Sequence, residues 1–268
     1  MGSVTAFEGT IPVNYDKYLG PILFEPYALD IINRLKNDEI ENLLELACGT
    51  GRLTRHLVGR IPANGRLVAT DLNQAMIDIA KTKVQDEKIE WKVVNAQDLP
   101  FADAQFDHII CQFGVMFFPD KQKSFEEALR VLRPGGKYIL NSWESVEKNP
   151  RIDTIWQTVL EVFPNDPPEF LKKGPYAFND QAGIEKLLRN AGFKNIKIDT
   201  VATTPQYNGP DDLINGFVEG TTLYNYLKEK SAESRQQLKT LLKQRLAQQD
   251  KVLGNTVPSL ALVIEATK

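Results

Sequence analysis

Cysteine and histidine are scarce in this chain. Cys48, Cys111, His56 and His108 are the entire supply in 268 residues. Two thiols cannot build a disulfide framework, and no Cys-x-x-Cys pair marks a redox or metal site. With only two of each, a zinc enzyme that needs several His and Cys ligands is not expected, nor is any metal. Neither histidine stands in a recognisable Ser-His-Asp setting. Positive charge is not in excess either. With 32 Lys and Arg against 35 Asp and Glu, the net charge of −3 offers nucleic acid no bulk field. No apolar run approaches the ~20 residues that cross a bilayer. The opening MGSVTAFEGTIPVNY lacks the basic region and apolar run of a secretory leader. Repeats and low-complexity tracts are missing too. A reduced, cytoplasmic protein without integral membrane association is expected.

The composition is 42% apolar and 25% charged, an ordinary globular balance. Residues 17–36 have apolar side chains at helical spacing, with Pro21 and Pro26 expected to interrupt or kink the helix. An alternation follows. Strands are expected at 42–47, 66–71, 89–94, 106–112 and 137–141. Helices are expected at 52–60, 73–84 and 121–132, the last stopped by Pro134-Gly135-Gly136. Strands alternating with helices at this pitch imply a parallel sheet covered on both faces. After Trp143 the rhythm breaks. A helix is expected over 150–163, another over 180–191 with Asp180 as N-cap and Gly192 at its end. Strands at 193–201 and 257–266 flank an almost wholly helical insertion, 204–255.

The strongest local pattern is Glu45-Leu46-Ala47-Cys48-Gly49-Thr50-Gly51, between a strand and a helix. Such a turn exposes backbone N–H groups, and its small residues let a ligand approach the main chain. Asp71 ends the second strand, 71 − 51 = 20 residues beyond Gly51. An acid there accepts hydrogen bonds from ribose hydroxyls. The structural alternative is a helix cap, a role Asn73 can also fill. The third glycine of a dinucleotide turn is absent, since Leu53 and Thr54 follow Gly51-Arg52. A carboxylate at Glu45 repels pyrophosphate and suits an ammonium. Ribose on Asp71 with an amino acid beside the turn fits S-adenosylmethionine.

With these residues the chain resembles the class I S-adenosylmethionine-dependent methyltransferases, in the small-molecule branch that includes the ubiquinone-biosynthesis enzymes. ELACGTG at 45–51 is similar to the family's first motif, with Ala47 for the first glycine. Because alanine is still small, that exchange is expected to cost little. ATDLNQAMI at 69–77 matches the acidic motif, placing Leu72 and Met76 near ribose and adenine. NAQDLPF at 95–101 matches the third segment. It puts Asn95, Ala96 and Gln97 at the adenine, with Asn95 in place of the usual Asp and its amide oxygen still able to accept. FDHIICQFGVMFFPD at 106–120 and VLRPGGKYIL at 131–140 match the later motifs.

The resemblance implies a Rossmann-like α/β fold with seven strands in the order 3-2-1-4-5-7-6, the last antiparallel, and helical cap insertions. It implies an N-terminal lid within 1–40, a cofactor core over 41–145 and a helical return over 146–203. A helical cap over 204–255 and a final core strand in 256–268 complete one domain. It also implies S-adenosylmethionine as cofactor, S-adenosylhomocysteine as product, and Tyr15 and Tyr18 near the methionine end.

Cys48 and Cys111 are expected to line the cofactor site with their backbones, without thiol chemistry. Gln112 and Phe113 stand where nucleic-acid and amide methyltransferases carry Asn-Pro-Pro-Tyr or Asp-Pro-Pro-Tyr. That motif's absence argues against such acceptors. Phe113 and Met116 are expected to face the acceptor. Tyr15, Tyr18 and Glu144 are candidates for a general base by position alone. His56 and His108 are expected to be structural.

Segment 228–251 carries seven basic and three acidic residues. A solvated helix face is the plain reading. An anionic substrate or a membrane surface is the sharper one. The insertion, with 143–178 and the lid, is expected to close over the acceptor. The function expected is methyl transfer to a small molecule by displacement at carbon, in a monomer or homodimer. The alternatives are a non-catalytic S-adenosylmethionine-binding protein and a nicotinamide-dependent oxidoreductase.

Overall fold

A computed structural model describes residues 9–168 and 170–268, so residues 1–8 of the expected lid segment lie outside the described residues. The chain divides into two compact units. One contains residues 27–143, 178–201 and 261–268; the other contains, of the described residues, those within 9–26, 144–177 and 202–260.

The first unit is built on the strands β1 (Asn42–Glu45), β2 (Arg66–Asp71), β3 (Ile89–Val93), β4 (Phe106–Gln112), β5 (Leu132–Trp143), β6 (Lys194–Thr203) and β7 (Ser259–Thr267). Their order is β3-β2-β1-β4-β5-β7-β6, as the resemblance implied. β1 runs parallel to β2 and β4, and β7 runs antiparallel to β5. The central strands are apolar and buried: Leu44 lies opposite Val68 and Ile109, all fully covered. This is the pattern of a sheet covered on both faces.

Helices return the chain between parallel strands. Gln74–Lys83 starts where the Asn73 side chain accepts from the Ala75 N–H. Lys121–Val131 starts where Asp120 accepts from the Lys123 N–H. Gln181–Ala191 ends at Gly192 with φ +108°, as expected, but Asp180 occupies its N-cap position without a side-chain capping bond. Arg34 anchors helix Glu25–Arg34 to the far strands, reaching Asp199 at 2.8 Å and Glu265 at 2.7 Å.

Three expectations need correction. The helix of 52–60 is only Thr54–Leu57 followed by a 3-10 turn, Val58–Arg60. β5 begins at Leu132, not 137, because Leu132 pairs with Phe106 and a register shift absorbs Pro134-Gly135-Gly136. Finally, the prolines near the N-terminus do not interrupt the helix. Ile11–Asn14, a π-helix Tyr15–Phe24 containing Pro21, and Glu25–Arg34 follow without a gap.

The second unit is helical. Its insertion folds as Pro210–Gly220, Leu223–Lys228 and Ala232–Leu253. Pro210–Gly220 packs on the π-helix through Gly216 and Gly220. A Cβ on Gly216 would come within 2.3 Å of Leu19, and one on Gly220 within 2.7 Å of the Tyr15 nitrogen. Leu213 and Phe217 are buried, as are Leu238, Leu242 and Leu246 of the long helix.

Arg151, on helix Pro150–Val162, is fully buried yet fully used. Its guanidinium donates to the carbonyls of Thr256 and Gly254 at 2.7 and 2.8 Å, and pairs with Asp250 at 2.7 Å. Much of the basic run is also paired inside this unit: Lys230 with Asp166, Lys239 with Glu219, Lys243 with Asp211 and Arg245 with Glu161. Among the described residues no helix is long and apolar enough to cross a membrane.

Candidate active site

The carboxyl ends of β1, β2 and β4 converge on the glycine-rich turn. Two backbone bonds pin it to the neighbouring strands: Leu46 N–H donates to Ile110 and Cys48 N–H to Thr70, each at 2.8 Å. The turn bends through left-handed residues, Ala47 at φ +53°, Gly49 at +55° and Gly51 at +78°. The low cost expected for Ala47 therefore needs revision. Its size is tolerated, but an L-residue with a side chain pays about 1–2 kcal/mol for this backbone region. Gly114 makes room for the methyl, since a Cβ there would lie 2.4 Å from that of Ala47. A Cβ on Gly49 would meet nothing within 4 Å, so the turn opens onto space a ligand can enter. The helix that follows the turn, Thr54–Leu57, is only four residues long.

Asp71 closes this arrangement. Its Oδ2 accepts from the Gly49 N–H at 2.9 Å and its Oδ1 from the Asn73 N–H at 2.8 Å. The Leu72 N–H also bonds to this carboxylate, whose remaining acceptor capacity is open to a ligand hydroxyl. Burial pushes the Asp71 carboxyl up from its ordinary range, against these backbone bonds. The next residue, Leu72, is 63% exposed, an uncovered apolar side chain beside the carboxylate.

Glu45 is buried at the end of β1, and its Oε2 accepts from the Thr54 hydroxyl at 2.7 Å. Burial, reinforced by the charge of Asp71, pushes its carboxyl up to about 8 despite that bond. Without a cation beside it this carboxyl is held mostly protonated at neutral pH, and an ammonium group placed there would favour its anion.

Met76 is buried on helix Gln74–Lys83. Asn95 is exposed after β3, and its Oδ1 accepts from the Gln97 N–H at 3.0 Å. Gln97 in turn accepts from the Asp120 N–H at 2.6 Å, and Ala96 between them is buried. Cys48 packs with Ala69 and Ile77, and Cys111 lies in the main core. Burial pushes the Cys48 thiol well above its ordinary value and the Cys111 thiol up to about 12. Neither is poised as a nucleophile.

At the end of β4, Gln112 is half-buried and Phe113 adopts φ +51°. The Phe113 N–H is held by Asn141 Oδ1 at 2.8 Å. Its ring stacks on Trp143 at 3.9 Å, and Tyr27 meets both rings edge-on at 5.2 and 5.3 Å. Phe113 and Met116 are both buried. Sequence reasoning missed Thr54, Asn141, Trp143 and Tyr27. Only Asn141 and Trp143 carried a signal, their position at the end of a strand beside the site.

The structure gathers Glu45, Ala47, Cys48, Gly49, Gly51, Asp71, Leu72, Met76, Asn95, Ala96, Gln97, Cys111, Gln112 and Phe113 within the first unit. Tyr15, Tyr18 and Glu144 belong to the second. Tyr15 packs on Phe24 with ring centroids 4.8 Å apart. Tyr18 lies under Lys17 and lines a cavity of about 280 Å³ with Ile22 and Gln206. Glu144 is buried, with Oε1 3.1 Å from Lys148 Nζ. His108 is buried at the opposite end of β4, between Asp107 and Asp38, so it is structural. His56 Nε2 accepts from Arg55. Among the described residues no group of His, Cys, Asp and Glu could hold a metal.

These residues fit S-adenosylmethionine. Asp71 offers two carboxylate oxygens, Leu72 an apolar edge, the Ala47–Gly51 turn an open backbone cradle, and Glu45 a carboxyl that an ammonium would ionise.

Residues 23–204, more than half of the chain, match the model of the ubiE/COQ5 methyltransferase family. A demethylmenaquinone methyltransferase of Lactobacillus johnsonii is 32% identical over 169 residues, 58% of this chain and 68% of that protein. The ubiquinone/menaquinone biosynthesis C-methyltransferase of Idiomarina loihiensis is 30% identical over 187 residues, 65% of this chain and 73% of that protein. Phosphoethanolamine N-methyltransferase 2 of Haemonchus contortus was solved with phosphomonomethylethanolamine and S-adenosylhomocysteine. It superposes with a TM-score of 0.64 at 19% identity, covering 98% of this chain and 58% of that one, and so shares the fold. The chain belongs to the ubiE/COQ5 methyltransferase family. It is an S-adenosylmethionine-dependent methyltransferase acting on a small molecule. The non-catalytic and nicotinamide readings have no support.

Proposed function

We propose that the chain methylates a ring carbon of a reduced quinone precursor, in the cytoplasm and without nucleic acid. The names of the relatives support the substrate class. The observation that carries the site assignment is the pair of carboxylates, Asp71 and Glu45, on either side of an open left-handed turn. Bound S-adenosylmethionine supplies an electrophilic methyl group on a sulfonium. Asp71 holds its ribose, Glu45 and the turn its amino acid, and Leu72, Met76 and Asn95 its adenine.

The protein's own contribution is alignment and exclusion of water. Asn141 fixes the strained backbone at Phe113, and the Phe113–Trp143–Tyr27 cluster gives this end of the sheet a rigid apolar wall. A quinol ring carbon becomes nucleophilic as the adjacent hydroxyl loses its proton. Glu144, Tyr15 and Tyr18 are the candidates to take that proton, and loss of the ring C–H proton after transfer restores the aromatic ring.

Radiolabelled methyl transfer to a short-chain demethylmenaquinol, kept reduced, tests this reading. Turnover that falls at least about a hundredfold in Glu144→Gln, with S-adenosylhomocysteine affinity intact, supports it. Methylation of amine acceptors but not the quinol overturns the substrate assignment, and an unaltered Glu144→Gln rate overturns the base.

A further inference from the structure

The basic run 228–251 is only partly explained by ion pairs within the helical unit. Among the described residues, no carboxylate pairs with Lys228 or Arg235, and both line a cavity of about 280 Å³. Ala232, Arg235, Gln236 and Lys239 recur at intervals of three and four, so one face of helix Ala232–Leu253 forms a wall. Helix Leu223–Lys228 forms the other, with Lys228 Nζ 4.3 Å from the centre of the Tyr224 ring. Val218 and Leu227, both buried, give it an apolar floor. The lining holds three cations, Lys228, Arg235 and Lys239, and one carboxylate, Glu219. Glu219 is already matched by Lys239 at 2.7 Å. Two positive charges are left facing a small concave space.

We infer that this cavity binds a phosphate group, carried by a lipid headgroup or a soluble phosphate ester. Two uncompensated cations match the two charges of a phosphate monoester. An arginine fork beside a lysine point charge suits phosphate oxygens. The apolar floor and the Tyr224 ring accommodate the carbon that bears the phosphate. A cation-lined space of this kind, separate from the Asp71–Glu45 site, is required by no step of methyl transfer.

The test uses the full chain. Calorimetry with inorganic phosphate and glycerol 3-phosphate addresses the soluble source. Co-sedimentation with vesicles containing phosphatidic acid, a lipid phosphate monoester, against phosphatidylcholine vesicles, addresses the lipid source. Arg235→Glu is compared with Lys251→Glu, which changes charge equally on the same helix but outside the cavity. Thermal unfolding checks that both variants are folded. Arg235→Glu is expected to weaken binding at least about tenfold. Lys251→Glu is expected to change it less than about twofold. S-adenosylhomocysteine affinity stays unchanged in both. Saturable soluble binding assigns a free phosphate ester, and vesicle capture alone assigns a lipid. Absence of binding to every probe, or equal losses in the two variants, overturns the site.

Discussion

At Glu45 the fold places a carboxyl where burial opposes its charge, with an ordinary value of 4.5 raised to about 8. The direction has two measurable consequences. An ammonium ligand favours the anion, so affinity for S-adenosylhomocysteine should rise with pH between about 6 and 8, by up to about tenfold per unit. Glu45→Gln should flatten that profile. In the free protein the sign is opposite. A raised folded value means that the group's stabilisation is present below 4.5 and lost as pH rises through about 8. Glu45→Gln should therefore gain stability relative to wild type at pH 8.5 compared with pH 5. A wild-type affinity profile that is level from pH 6 to 8 would contradict the assignment. Ala47 gives a second residue-scale test. Ala47→Gly relieves a left-handed alanine at the cost of added freedom in the unfolded chain. A net gain of roughly 0.5–1 kcal/mol is expected in urea unfolding; a loss would show that the methyl's packing outweighs its backbone strain. The sequence revealed Glu45 and Asp71 through type and spacing. It could not reveal Thr54, whose bond to Glu45 depends on how the turn folds back, nor the left-handed backbone at Ala47.

Among the elements, the strands were the most legible, because continuous apolar runs such as those of β1 and β4 admit few alternatives. Pro134-Gly135-Gly136 read as a stop, yet β5 passes through it, because pairing with β4 and β7 outweighs local turn preference. Pro21 read as an interruption for a similar reason. The π-helix Tyr15–Phe24 accommodates it, and neighbouring packing holds that wider helix in place. That packing rests on Gly216 and Gly220, whose meaning was invisible without the partner helix. In Gly220→Ala the new Cβ would meet the backbone of Tyr15 at 2.7 and 2.9 Å, and backbone cannot yield as a flexible side chain does. A loss of about 1–3 kcal/mol is expected from thermal or urea unfolding. Gly59→Ala, where a Cβ meets nothing within 4 Å, serves as the control. Equal stability of the two variants would mean that the helices do not approach as closely as the structure has them.

For the molecule as a whole, the sheet order was legible only through the family resemblance, since strand periodicity fixes the elements but not their neighbours. The helical unit was legible as helix and little more. Its buried Arg151 and the Arg245–Glu161 pair join residues 84 to 105 positions apart, which no local pattern records. The central claim is that the carboxyl ends of β1 and β2 form an S-adenosylmethionine site anchored by Asp71. Calorimetric titration of wild type and Asp71→Asn with S-adenosylhomocysteine, and of wild type with NADH, tests it most directly. The asparagine retains an acceptor for the Gly49 or Asn73 N–H, so the turn should stay folded while the charge is lost. Charge-assisted hydrogen bonds are worth about 1.5–3 kcal/mol. The account therefore expects one molecule of S-adenosylhomocysteine bound per chain, affinity at least about tenfold weaker in Asp71→Asn, and no heat with NADH. Unchanged S-adenosylhomocysteine affinity in a folded Asp71→Asn, or binding of NADH in its place, would contradict it.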